Sequence, residues 1–187
     1  MSPRAALVLA GLAALAVAMV ALARVTGGDG AKPHPLGTEV VVGHTDMRSG
    51  GAGVRTRIGL TVLRVRTGTQ QELAANGLEV EPEDRTATPY YVDARFANRG
   101  PNAVGKSLRV GLEDSDGNLV PSTLVFGLGD EPFEPCPTVT DGTLKPGESY
   151  ESCTLVLVPD GVDVEKVEFL SDKGPDEEPE FVYWAVE

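Results

Sequence analysis

The chain has 187 residues, enough for one globular domain with extras, and its formal net charge is -12. Residues 1–31 contribute a net +1 through Arg4, Arg24 and Asp29, which leaves -13 on the remainder; that excess opposes nucleic acid and anionic lipid as partners and leaves a cationic partner or a divalent metal as compatible classes. With 22 glycines, 14 prolines and few aromatic residues, short Val/Leu/Thr runs between turn formers predict an all-β domain.

Ala5 to Ala23 is a run of 19 residues without a charge, bounded by Arg4 and Arg24. As a helix it would cross a hydrocarbon core of about 30 Å. Its length favours an uncleaved anchor, while Ala21-Leu22-Ala23 has the small-x-small form of a signal-peptidase site. Both readings send the following domain outside the cell. In one it stays on the cell membrane as a single-pass protein with the C-terminal domain outside. In the other it is secreted after cleavage near Ala23. Residues 1–24 are therefore a signal anchor or signal peptide, 25–37 a Gly/Pro-rich tether, and 38–187 the domain.

The domain opens with a strand at 38–43, a loop at 46–56 and a long strand at 57–68. In that strand Ile58, Leu60 and Val62 share one face and Leu63 and Val65 the other, a switch that predicts a bulge or burial on both sides. Residues 70–77 (QQELAANG) predict one or two helical turns ended by glycine, and the polar stretch after them a surface loop. PYYVDARFANRG (89–100) alternates strictly: Tyr90, Val92, Ala94 and Phe96 on one face, Tyr91, Asp93, Arg95 and Ala97 on the other.

A strand at 107–114, the acidic turn EDSDGN (113–118) and a continuation at 119–127 follow. Residues 129–142 hold too much proline for a central strand. Strands at 151–159, 164–172 and 181–187 complete the chain, with acidic GPDEEPE (174–180) before the last. Seven or eight short strands at this spacing predict an antiparallel β-sandwich. Cys136 and Cys153 are the two cysteines. In an exported domain they predict one disulfide, with two free buried thiols as the alternative in a cytoplasmic protein. Cys153 shares a face with Leu155 and Leu157, so the bridge would pin the proline-rich segment over the edge of the core.

The order YYVDARFANRGPNAV, LEDSDGNLVP, LKPGESYESCTLVLVP, VEKVEFLSD resembles the bacterial immunoglobulin-like extracytoplasmic domains of unknown function found in high-GC Gram-positive bacteria. The resemblance covers about residues 36–187. It implies an immunoglobulin-like sandwich behind a signal peptide or single anchor and brings no catalytic residues with it. The acidic insertion before the last strand departs from that pattern.

Candidate chemistry is sparse. Asp114, Asp116 and Asn118 match the first three ligand positions of a helix-loop-helix calcium loop, but Leu119 stands where glycine is required and Val125 where the bidentate glutamate is required. The competing reading is a hairpin turn with positive φ at Gly117 or its neighbours. The run Asp176, Glu177, Glu178, Glu180 is either a solvated loop or a site for a cation. Tyr183 and Trp184 point to opposite faces of the last strand, as core and edge packing or as an aromatic anchor for a protein or glycan. His34 and His44 make no zinc pattern, and no nucleophile elbow or phosphate loop is present. The expectation is a non-enzymatic, exported module that binds a protein or cell-envelope component; the alternative is a calcium- or small-ligand-binding domain that uses its acidic loops. No other cofactor is expected.

Overall fold

The computed structural model describes residues 32–47, 53–123, 133–139, 141–172 and 178–186. The apolar N-terminal run, the site near Ala23, and Asp176 and Glu177 lie outside these residues.

Two four-stranded antiparallel sheets pack face to face. The first has the order β1 (Glu39–Asp46), β2 (Val54–Thr67), β3 (Thr88–Asn98), β8 (Ser149–Val158). The second has the order β10 (Glu180–Ala185), β9 (Val164–Ser171), β5 (Gly111–Asp114), β6 (Leu119–Val120). A two-residue pairing of β4 (Val104–Gly105) with β7 (Thr143–Leu144) bridges their ends. The predicted strand at 107–114 pairs only from Gly111. His44 lies within β1, which runs on to Asp46.

The core lies between the sheets, where period-2 alternation delivers it. β2 contributes Ile58, Leu60 and Val62, β3 contributes Val92, Ala94 and Phe96, and β8 contributes Val156 and Val158. Leu112, Val167, Phe169 and Trp184 meet them from the second sheet. The switch of face in β2 is a bulge, and the pairing with β3 shifts register between Val62 and Arg64. Asn98, which ends β3, is a buried organiser of the following turn. Its amide donates to the carbonyls of Asn102 and Leu144, and its oxygen accepts from Gly100 N and Thr56 Oγ1. Both ends of its buried amide are thereby satisfied.

The outer face of the first sheet carries a second core of Leu73, Leu78, Tyr91, Phe133, Cys136, Cys153 and Leu155. Helix α1 (Gln70–Ala75) lies here, started by Thr69, whose hydroxyl accepts from Glu72 N. Cys136 and Cys153 are joined. The bridge therefore fastens the proline-rich segment across the outer face of β8, rather than over the edge of the main core.

The end of the tether is also docked. His34 N donates to Tyr183 O and Ala185 N donates to His34 O, so His34 forms a parallel bridge with Trp184. Leu36 packs on the core. Among the described residues no helix is long and apolar enough to cross a membrane.

Candidate functional site

The outer face of the second sheet is built differently. In β9, Val167, Phe169 and Ser171 are buried toward the first sheet, so Lys166, Glu168 and Leu170 face outward. Register sets their neighbours: Glu113 opposite Lys166, Gly111 and Tyr183 on either side of Glu168, Phe181 opposite Leu170. Leu119, opposite Glu113, extends the same face.

Charges are buried on this face. Glu113 is 6% and Glu168 5% exposed. The Lys166 ammonium lies 2.5 Å from Glu113 Oε1 and 5.2 Å from the centre of the Tyr183 ring. The Tyr183 hydroxyl hydrogen-bonds Glu113, and burial together with the adjacent negative charge pushes its pKa up to about 12. Glu168 is raised to about 7, first by burial and then by the charge of Glu113, with Lys166 opposing. Two carboxylates thus share one ammonium.

A groove of about 710 Å³ opens beside this cluster. Glu168 forms part of its floor, Leu119, Pro121, Leu170, Pro179 and Phe181 supply apolar walls, and His44 and Thr45 reach it from β1. Leu119 and Leu170 are 55% and 51% exposed. Gly111 keeps the floor open: a Cβ there would come within 2.8 Å of Leu119 Cδ1 and 3.3 Å of Glu168 Oε1. Thr45 Oγ1 donates to Asp172 at the far end, and Gly43 N donates to Ser171 Oγ, closing the seam between the sheets. Burial lowers the pKa of His44 despite Asp46 and Asp172 nearby.

The predicted site residues fall elsewhere. Asp114 closes the β5–β6 turn: its Oδ1 accepts from Asp116 N and Asn118 N, and its carboxylate also accepts from the Asn118 amide. These hydrogen bonds hold its pKa below the usual range. Asp116 and Asn118 are exposed. The stretch is therefore a hairpin tip between β5 and β6, the turn reading of EDSDGN, with Asp114 engaged by the turn's own backbone and the Asn118 amide. Among the described residues no three His, Cys, Asp or Glu side chains gather as a metal would need. Glu178 is exposed.

Trp184 is fully buried and its indole donates to Thr38 O at 3.0 Å; Tyr183 is 6% exposed. Trp184 thus belongs to the core between the sheets, and Tyr183 packs against Lys166 beside the groove. The residues that sequence reasoning missed are Glu113, Lys166 and Glu168. Their signal was charge at alternate positions of β9, VEKVEFLS, facing a glutamate and a glycine in β5.

No family model and no curated protein matches this chain. Solved structures do. The secreted protein MPT63 of Mycobacterium tuberculosis is 16% identical, with a TM-score of 0.50, over 84% of this chain and 100% of that one. The yjhA protein of Bacillus subtilis is 13% identical, with a TM-score of 0.45, over 81% of this chain and 98% of that one. The likeness to MPT63 establishes a shared all-β sandwich fold.

Proposed function

We propose that this protein is an exported, non-catalytic, immunoglobulin-like binding module held at or released from the membrane by its N-terminal apolar run. The groove on the outer face of the second sheet is its binding surface. One observation carries the reading: an apolar groove lies over a buried carboxylate, with two half-exposed leucines beside it. A monomeric surface rarely keeps contiguous apolar area without a use for it. Export is supported by the 19-residue apolar run and by a disulfide, which persists in oxidising compartments. The solved protein that shares the fold is itself described as secreted.

The test is site-specific photo-crosslinking on intact cells. A photoreactive residue in place of Leu119 or Leu170 should give a discrete adduct, and one in place of Glu151, exposed on the opposite sheet, should not. The same adducts from all three positions, or none from any, would sink the reading.

A further inference from the structure

We propose that the groove docks a polypeptide segment presenting one lysine or arginine between apolar side chains, with the cation seated against Glu168. The inference rests on the groove being the binding surface and names what it holds.

Three observations converge. The first is a charge deficit in a buried place. Lys166 is the cation acting on both glutamates, and its ammonium is bonded to Glu113. Glu168 is left without a matching positive charge among the described residues that act on it, and an uncompensated carboxylate is costly to bury. The second is where that deficit faces. Glu168 lines the groove, whereas Glu113 and Lys166 lie outside its lining. A cation entering the groove therefore meets Glu168 without displacing Lys166. The third is the apolar surroundings. Leu119 and Leu170, both half-exposed, suit the side chains that would flank a basic residue.

The other groups near Glu168 fit this arrangement. Tyr183, on its β10 side, is hydrogen-bonded to Glu113. Further along the groove, Asp172 accepts from Thr45, Arg109 holds an interaction of its own, and burial disfavours the charged form of His44. A polypeptide is favoured over a free amine because the groove is far larger than one ammonium-bearing chain, and the exposed leucines gain only if apolar groups cover them. The acidic chain, at -12, would speed the approach of a basic partner.

The test is a titration of the full chain, followed by calorimetry and amide NMR shifts, with an acetylated and amidated pentapeptide of sequence serine-leucine-lysine-leucine-serine. Controls are the same peptide with norleucine for lysine, and n-hexylamine. The lysine peptide should bind about tenfold more tightly than the norleucine peptide, and E168Q should erase that difference while L170A weakens both. Near-ultraviolet circular dichroism checks that each variant keeps its fold. Equal binding of the two peptides, or an undiminished preference in E168Q, overturns the cation assignment and leaves the groove as the binding surface. Hexylamine matching the peptide overturns the polypeptide assignment. No binding by either peptide overturns both this inference and the groove reading beneath it.

Discussion

The two outer faces of the sandwich solve the same problem in opposite ways. Each belongs to a sheet whose inner face is already committed to the core. On the first sheet the outer face is sealed by a second apolar core: Tyr91 and Leu155 are covered by Leu73, Leu78 and Phe133, and Cys153 is tied to the covering segment. Its charged groups lie at the rim of that core, where Arg64 and Arg66 share the Asp93 carboxylate. Tyr91 Oη donates to Glu72 Oε2 at 2.9 Å while the Arg66 guanidinium lies 4.6 Å from its ring. On the second sheet the outer face buries two glutamates against one lysine and leaves two leucines half in water. A region optimised only for stability would resemble the first face. The second carries an arrangement that costs stability, and under the function proposed above that cost maintains a binding surface.

The largest effect should come from unfastening the sealed face. The bridge joins residues 17 apart in sequence, and removing a cross-link over a loop of that size costs about 3 kcal/mol in the chain-entropy model. The double variant C136S/C153S should therefore lose about 3 kcal/mol in urea unfolding, with the groove and its pH behaviour unchanged. A loss below about 1 kcal/mol would mean that the second core holds the proline-rich segment by packing alone. The contrast between a fastened and an unfastened face would then be one of composition.

The next effect concerns Glu168. Its folded pKa, about 7, lies above the ordinary carboxyl value of 4.5. The folded state therefore holds its proton more tightly than the unfolded chain. The associated stability is fully present below about pH 4.5, and it is lost as pH rises through about 7. The full shift corresponds to about 3 kcal/mol, which solvent in the open groove reduces to about 1–2 kcal/mol. Glutamine does not titrate, so E168Q should match the wild type in acid and exceed it by about 1–2 kcal/mol above pH 7. Chemical denaturation of both proteins across that range measures the difference. A difference that stays flat would show that Glu168 is solvated or neutralised by another group, and the two faces would then differ less than their geometry suggests.

Much of the first face and the core was legible from sequence, because period-2 alternation and turn chemistry are local. The alternation of residues 89–100 assigned Val92, Ala94 and Phe96 to one side and Tyr91 to the other, as found. The bulge in β2 and the helix at Gln70–Ala75 follow from equally local signals. The cysteines gave their own pairing. What escaped was cross-strand. Glu113 and Lys166 are 53 residues apart, and Glu168 is distinguished only by register against Gly111 and Tyr183. No local pattern states that register. The same limit applies to Tyr183 and Trp184: alternation put them on opposite faces, as found, but what each ring packs against is set by tertiary structure. At the Asp114 turn the residue types alone are ambiguous, since ligand-like spacing and an Asx turn use the same side chains, and it is the alternating flanks that mark the hairpin.

The smallest effect, at the turn itself, sharpens how the groove wall is held. Gly117 has φ +77° and nothing within 4 Å of an added Cβ, so any cost of substitution there is conformational and not steric crowding. Alanine in this left-handed region costs about 1 kcal/mol, and asparagine, which tolerates it, costs less. G117A should therefore lose about 1 kcal/mol and G117N about half of that, by thermal or urea unfolding. Leu119, two residues on, pairs opposite Glu113 and forms part of the groove wall. If the turn sets the position of that wall, G117A should also perturb the amide shifts of Leu119 and Gly111 more than G117N does. Equal losses from the two variants would place the constraint in the Asp114 hydrogen bonds instead of in the glycine. D114A would then move the groove wall while G117A left it in place.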